Sequence, residues 1–332
     1  MPMDKKLIAI ALVVVAAVLL LSSQGALSGN LLAGEAVQSK AIVVAYLPVT
    51  QSLPLFTAFE QGAFEKAGLR VELARFDSPN QLIDAVASGR AQATAPSAAS
   101  GIAALAEQKS PGSFKIYGFN CGTRTNVNDE LLAAKNSTVA SIAGLKGGKL
   151  GIIPGIQFRT VALKILKENG LKPGDVELVD IAVPLQLQAL ATGSVDALLT
   201  LEPVGTIGTK KGVSRMLEAS PMVKFIADPW CGGVGLVSTK FYAQDRANAE
   251  LFIKTMREAA REVEANASTK TYLEKYLGMD AETAATAPLP LFVDTARMND
   301  ATAAAYQKFA DVFFEMNVTT ERPLTAGMLL RS

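Results

Sequence analysis

The stretch Leu150-Gly-Ile-Ile-Pro-Gly155-Ile-Gln-Phe-Arg-Thr160-Val-Ala-Leu-Lys-Ile165-Leu-Lys-Glu-Asn169 decides the fold. Leu150 to Ile153 is a short apolar run bounded by turn residues, which predicts a buried strand. Pro154-Gly155 makes the turn, a helix runs from about Gln157 to Asn169, and Gly170 ends it. Toward the C-terminus the cycle repeats. Val176 to Ile181 reads as a strand, Pro184 to Ala191 as a helix, and Val195 to Leu201 as a strand that stops at Glu202-Pro203. Asp129 to Ala134, upstream, is another strand-like run.

Further upstream the same alternation recurs. Strands are expected at Ala41–Tyr46, Leu69–Phe76, Ala91–Ala95 and Phe114–Phe119, and helices at Leu53–Lys66, from Ser78 through Val86, and at Ser97–Glu107. Strands and helices that alternate at these lengths pair in parallel through right-handed crossovers. The predicted class is therefore α/β, with open, mainly parallel sheets flanked by helices. Gly233 to Ser238 supplies one more strand. The remainder reads as helical, at Asn248–Asn266, Ser268–Tyr276 and Asp300–Phe314.

Composition removes whole classes of function. The 332 residues carry Lys+Arg 32 against Asp+Glu 31, a net charge of +1, so no single-sign field exists to hold nucleic acid. There is no histidine, which rules out Ser-His-Asp and Cys-His nucleophiles and the commonest zinc ligand. No cofactor and no metal are expected. At the amino end, Lys5-Lys6 followed by the apolar run Leu7 to Leu21, with small-x-small at Gly34-Glu35-Ala36, reads as a signal peptide over residues 1–36. The run is short of the roughly 20 residues that span a bilayer, and an uncleaved anchor is the alternative. Either way the body is placed outside the cytoplasm, periplasmic or extracellular. The only cysteines are Cys121 and Cys231, read either as an oxidised pair or as two separate buried thiols.

Several segments, taken in order, resemble the nitrate/sulfonate/taurine family of ABC-transporter substrate-binding proteins. They are Ala58-Phe-Glu-Gln-Gly-Ala-Phe-Glu-Lys-Ala-Gly-Leu69, Ala85-Val-Ala-Ser-Gly-Arg-Ala-Gln92, Leu145-Lys-Gly-Gly-Lys-Leu-Gly-Ile-Ile-Pro-Gly155, Leu171-Lys-Pro-Gly-Asp175, Ala189-Leu-Ala-Thr-Gly-Ser-Val-Asp-Ala-Leu-Leu-Thr-Leu-Glu-Pro203 and Ala287-Pro-Leu-Pro290. The resemblance implies a type II periplasmic-binding-protein fold, two α/β lobes joined by two crossing segments with the ligand between them. Lobe I would be residues 41–126 plus 233–332, and lobe II residues 127–232. It also implies a protein, monomeric and without enzymatic activity, that delivers a small molecule to an importer's membrane permease and ATPase. In that topology the returning strand runs antiparallel beside the fourth, which would bring Cys231 close to Cys121.

Ligands in open α/β sheets sit at the carboxyl ends of strands. On lobe I that rule selects Pro48, Thr50 and Gln51, then Pro96 and Ser97, then Asn120 and Cys121. On lobe II and its return crossing it selects Gly155, Gln157 and Phe158, then Glu202, then Trp230. Gly155 would let the amides of Ile156 to Phe158 face an anion. Ser97 is also a candidate N-cap. Glu202 is expected to meet either a cationic group of the ligand or a protein arginine, Arg124 or Arg159. Trp230 is expected to stack on a ligand or fill the hinge, and with Phe158 and Tyr46 it keeps a pyrimidine or flavin ligand as the runner-up. A sensory protein presenting its ligand to a membrane receptor is a third reading. The fold also hosts a pyrimidine-synthesising enzyme that depends on histidine and clustered cysteines, which this chain lacks.

Overall fold

Two sheets divide the strands of the computed structural model, which describes residues 40–331; the proposed leader lies outside them. The first has the order β11 (Leu291–Asp294), β4 (Phe114–Gly122), β10 (Trp230–Ser238), β3 (Ala93–Thr94), β1 (Ile42–Tyr46), β2 (Val71–Arg75), and the second β7 (Glu177–Asp180), β6 (Lys149–Ile152), β8 (Ala197–Leu201), β5 (Asp129–Ala134), β9 (Ser214–Ala219). In the first, β1 (Ile42–Tyr46) is central to a parallel trio with β2 (Val71–Arg75) and β3 (Ala93–Thr94). In the second, β6 (Lys149–Ile152) lies parallel to β7 (Glu177–Asp180) and β8 (Ala197–Leu201).

The rest of each sheet is antiparallel, so both are mixed rather than mainly parallel. β5 (Asp129–Ala134) runs antiparallel to β8 and to β9 (Ser214–Ala219). β10 (Trp230–Ser238) inserts between β3 and β4 (Phe114–Gly122) and opposes both. The reason is topological. Strands that leave one sheet for the other and come back must return with reversed direction, which the helix-strand rhythm does not report.

Local chemistry explains most element boundaries. Ser78 caps the helix Pro79–Ala87 by accepting from the Gln81 N–H, with proline at the first turn. The single helix expected over Leu53–Lys66 is two, Leu53–Glu60 and Ala63–Lys66, because Gly62 takes a left-handed φ of 63° between them. The helix expected from Ser97 begins instead at Ser100, and the residue in the cap position is Ala99. The wholly helical tail is also corrected. Leu291–Asp294 forms β11, an edge strand antiparallel to β4 that is too short and too close to Pro290 to show a period. β9 and the helices Val204–Lys210 and Pro221–Phe225 are likewise absent from the sequence reading.

The larger apolar core is continuous over both sheets, from Ala45 and Phe119 through Phe158 and Ile165 to Trp230. The smaller one seats the helix Arg246–Ala265 and Phe56 against the other face of the first sheet. Among the described residues no helix is long and apolar enough to cross a membrane.

The chain crosses between the sheets twice, once after β4 and once before β10, and the structure joins the two crossings by a Cys121–Cys231 disulfide. The bridge closes a loop of 110 residues. On the chain-entropy model that constrains the unfolded chain by up to about 4.7 kcal/mol. Denatured, unreduced protein should therefore titrate no free thiol, and reduction should lower the melting temperature. Two titratable thiols per chain would contradict the bridge.

Candidate functional site

Polar side chains with almost no exposure collect where the two sheets meet. From the first sheet, Thr50 donates through its N–H (3.3 Å) and its hydroxyl (3.4 Å) to the Glu202 carbonyl, and Gln51 Nε2 donates to Asn128 Oδ1 at 2.9 Å. Thr50, Gln51 and Asn128 are wholly buried and Glu202 nearly so. Pro48 lies buried in the same loop. Ser97, also buried, shares a hydrogen bond with Ser52 Oγ and accepts from the Leu47 N–H. It braces the loop and does not cap a helix.

From the second sheet, Gly155 precedes the helix Ile156–Glu168 with a φ of 122°. A Cβ there would collide with Asn80 Oδ1 of the helix Pro79–Ala87, so glycine is required by both the turn and the close approach. The N–H groups of Ile156, Gln157 and Phe158 meet no protein acceptor among the described residues, as the first turn of a helix leaves them. The side chain of Gln157, however, is already engaged. Its Oε1 accepts from the Gly101 N–H at 2.9 Å, and its Nε2 donates to the carbonyls of Ala98 (3.2 Å) and Gly232 (3.1 Å). Gln157 clasps one lobe to the other.

Two aromatic candidates belong to the core. Phe158 is wholly buried within the larger apolar cluster, and Trp230 packs edge-to-face on Phe309 with ring centroids 5.6 Å apart. Tyr46 likewise sets an edge against Phe56. Neither arginine proposed for Glu202 reaches it: Arg124 pairs with Asp228 and Arg159 with Asp180. The Glu202 carboxylate instead takes the N–H and hydroxyl of Thr206. Asn120 donates to the Pro96 carbonyl, and Cys121 is bridged.

The layer also holds residues that strand-end reasoning missed, namely Asn80, Asn128, Asp129 and Glu130. Asp129 and Glu130 are both wholly buried. Asp129 Oδ2 accepts from the Met222 N–H at 2.9 Å, yet burial pushes its carboxyl up to about 7. Burial, reinforced by the neighbouring Glu202 carboxylate, lifts Glu130 well above the ordinary range. Several buried side-chain atoms near the junction of the two sheets have no protein partner: Gln51 Oε1, Asn80 Oδ1, Asn120 Oδ1 and Asn128 Nδ2, with Asp129 Oδ1 on one face of β5 and both Glu130 carboxylate oxygens on the other. Buried polar atoms are nearly always paired, so these groups are exceptions that make the junction of the two sheets the candidate site.

Comparison with known proteins agrees with the geometry. The family described as NMT1/THI5 like matches residues 49–268. An aliphatic sulfonates-binding protein of Bacillus subtilis (strain 168) is 29% identical over 254 residues, 75% of this chain and 72% of the relative. The taurine-binding periplasmic protein of Escherichia coli (strain K12) is 29% identical over 179 residues, 53% of either chain. Among solved structures, the alkanesulfonate-binding protein of Xanthomonas axonopodis pv. citri bound to MOPS superposes with a TM-score of 0.72 at 19% identity, covering 88% of this chain and 98% of its own. That likeness establishes the fold.

Two expectations follow. Gly155→Val should abolish ligand binding while circular dichroism and each sheet's core stay native, because it blocks the approach to Asn80; unchanged affinity would refute that role. Asp129 has a folded pKa near 7 against about 3.9 unfolded. Its cost is thus absent below about pH 4, grows as pH rises, and is complete above about pH 7. Asp129→Asn keeps an acceptor for Met222 and removes that cost. Its urea midpoint should gain on the wild type progressively from pH 4 to pH 8, by an amount equivalent to at most about 4 kcal/mol, whereas a difference independent of pH would show that Asp129 does not titrate there.

Proposed function

The chain belongs to the NMT1/THI5-like family, and from that premise we propose that it is an extracytoplasmic solute-binding protein. Its ligand is a small organic anion of the sulfonate type, enclosed between lobe I (residues 41–126 and 233–332) and lobe II (residues 127–232) and delivered to an ABC importer. The observation that carries this reading is the set of buried, unpartnered polar atoms at the junction of the two sheets, among them Gln51 from the turn after β1, Asn80 from the helix after β2, Asn120 from β4, and Asn128 and Glu130 at the start of β5. Relatives named for binding aliphatic sulfonates and taurine support the ligand class. The lysine pair, apolar run and small-x-small pattern of residues 1–36, read as a leader, fit export.

Binding needs no covalent step. The free amides of Ile156 to Phe158 at a helix start offer an anion a set of fixed donors with a favourable dipole. Gly155 allows Asn80 to approach them. A ligand that touches both lobes stabilises the arrangement in which they are apposed, and that arrangement is what a permease would recognise. The aromatic residues that would serve a pyrimidine or flavin are spent on core packing, so stacking has no support from the geometry.

A thermal-shift screen tests the reading. At about 100 times Kd a ligand adds about 2.7 kcal/mol of stability, so short-chain sulfonates should raise the melting temperature by several degrees and pyrimidines and flavins should not. A shift with flavin or pyrimidine alone would transfer the protein to the heterocycle class. No shift with any sulfonate would reject the proposal.

A further inference from the structure

The two lobes meet differently on the two faces of the first sheet. On one face the helix Ile156–Glu168 of lobe II lies against the helix Asp300–Glu315 of lobe I. The larger apolar cluster runs there without a break from Phe158, Val161 and Ile165 into Phe309 and Phe313. Gly101 belongs to the same contact: a Cβ on it would strike the Phe313 ring, and its N–H donates to Gln157 Oε1. On the other face the smaller cluster is built by lobe I, and among the described residues it takes one side chain from lobe II, the half-buried Ile207.

Away from the crossings, two lysines of lobe II form ion pairs with lobe I among the described residues. Lys164 Nζ, on the face of the continuous core, stands 3.1 Å from Glu315 Oε2 and 3.0 Å from Glu168 Oε1 of its own helix. Lys210 Nζ, at the end of the helix Val204–Lys210, stands 3.2 Å from Asp280 Oδ1 and 2.9 Å from Glu282 Oε2 at the start of the helix Ala281–Thr286. Asp280 is fixed in place because it also caps that helix, accepting from the Thr283 N–H (2.9 Å) and hydroxyl (2.6 Å). Solvent-facing pairs contribute little singly and are weakened by salt. Beside a continuous core such a pair is negligible. Beside Ile207 and the few hydrogen bonds of Thr50 and Gln51, it is a substantial share of what holds the lobes together.

We propose that the lobes part on the face of Lys210 and pivot on the face of Gln157 and Phe313, and that Lys210 is the positioning residue that latches the parting face through Asp280 and Glu282. The inference rests on the proposed division into two lobes that close, and not on the identity of the ligand. Parting on the pivot face would expose the continuous apolar core to water. Parting on the other face releases one apolar side chain and one lysine. Opening by this second route breaks the bond from the Thr50 N–H to the carbonyl of Glu202, just before the helix that ends in Lys210, and leaves the Gly101–Gln157 bond intact. Each of these two amides has its acceptor across the junction, so their hydrogens report the two faces separately.

Amide hydrogen exchange of the ligand-free protein, followed residue by residue by NMR, tests this. In Lys210→Met the Thr50 amide should exchange about two- to five-fold faster than in the wild type, the range expected for solvent-facing pairs, while Gly101 is unchanged. Lys164→Met should move neither amide. Raising salt from about 0.01 M to about 1 M shortens the Debye length from roughly 30 Å to roughly 3 Å; it should speed Thr50 relative to Gly101 in the wild type but not in Lys210→Met. Glu282→Gln keeps the lysine and should give part of the same acceleration, adding nothing in the Lys210→Met background. Unchanged Thr50 exchange in Lys210→Met, equal acceleration of Thr50 and Gly101, or acceleration of Thr50 by Lys164→Met would overturn the latch. None of these results involves a ligand, so failure of every sulfonate to bind would reject the proposed function without deciding the latch, and the exchange data would decide the latch without touching the ligand class.

Discussion

The antiparallel seating of β10 on β4 is the constraint from which the rest of the molecule follows. β4 leaves the first sheet at Gly122, and β10 re-enters it at Trp230, opposite that same residue. Exit and return are therefore neighbours, and the whole second sheet hangs from two adjacent crossings stapled by Cys121–Cys231. Glycines at 233 and 235 make that seating possible, since a Cβ at Gly233 would strike Asn120 and one at Gly235 would strike the Tyr117 ring. Close approach here brings the start of β5 and the end of β8 under the loop that carries Thr50 and Gln51. The polar layer is a consequence of where the chain has to cross.

That layer is costly. A buried polar group without a partner destabilises by about 1–3 kcal/mol, and a buried carboxylate by more unless it holds its proton. Asp129 and Glu130 both respond by retaining protons at higher pH than usual. An apolar core spanning both sheets supplies the compensation, with aromatic side chains such as Trp230, Phe158 and Phe309 buried in it. Their burial is why the aromatic residues near the cleft serve the fold rather than a ligand.

Much of the architecture was legible from punctuation. Gly155, Gly170, Pro203 and Ser78 mark turns whose chemistry is local, and the elements they bound appear within a few residues of the expected places. The antiparallel strands were harder to see, since β9 and β11 are short, half-exposed, and gain their pairing only from the tertiary fold. The site divides in the same way. Strand ends pointed to Thr50, Gln51, Gly155 and Glu202, which the structure brings to one interface. They missed Asn128, Asp129 and Glu130 because these begin a strand instead of ending one, and in an antiparallel neighbour the start of β5 lies beside the end of β8. A signal was present all the same, in two successive carboxylates heading the apolar run Leu131-Leu-Ala-Ala134, where burial of charge demands a reason.

Gln157 shows why position near a site is not the same as contact with a ligand. Its amide is fully used by Gly101, Ala98 and Gly232, all outside the second sheet's own strands. Each such bond contributes about 1 kcal/mol net, so the clasp alone favours apposed lobes by a few kcal/mol. A binding protein with such a clasp does not depend on its ligand for the whole of the closure energy. Ligand contacts then need only tip a balance already near closure, and discrimination falls to groups the protein cannot satisfy by itself.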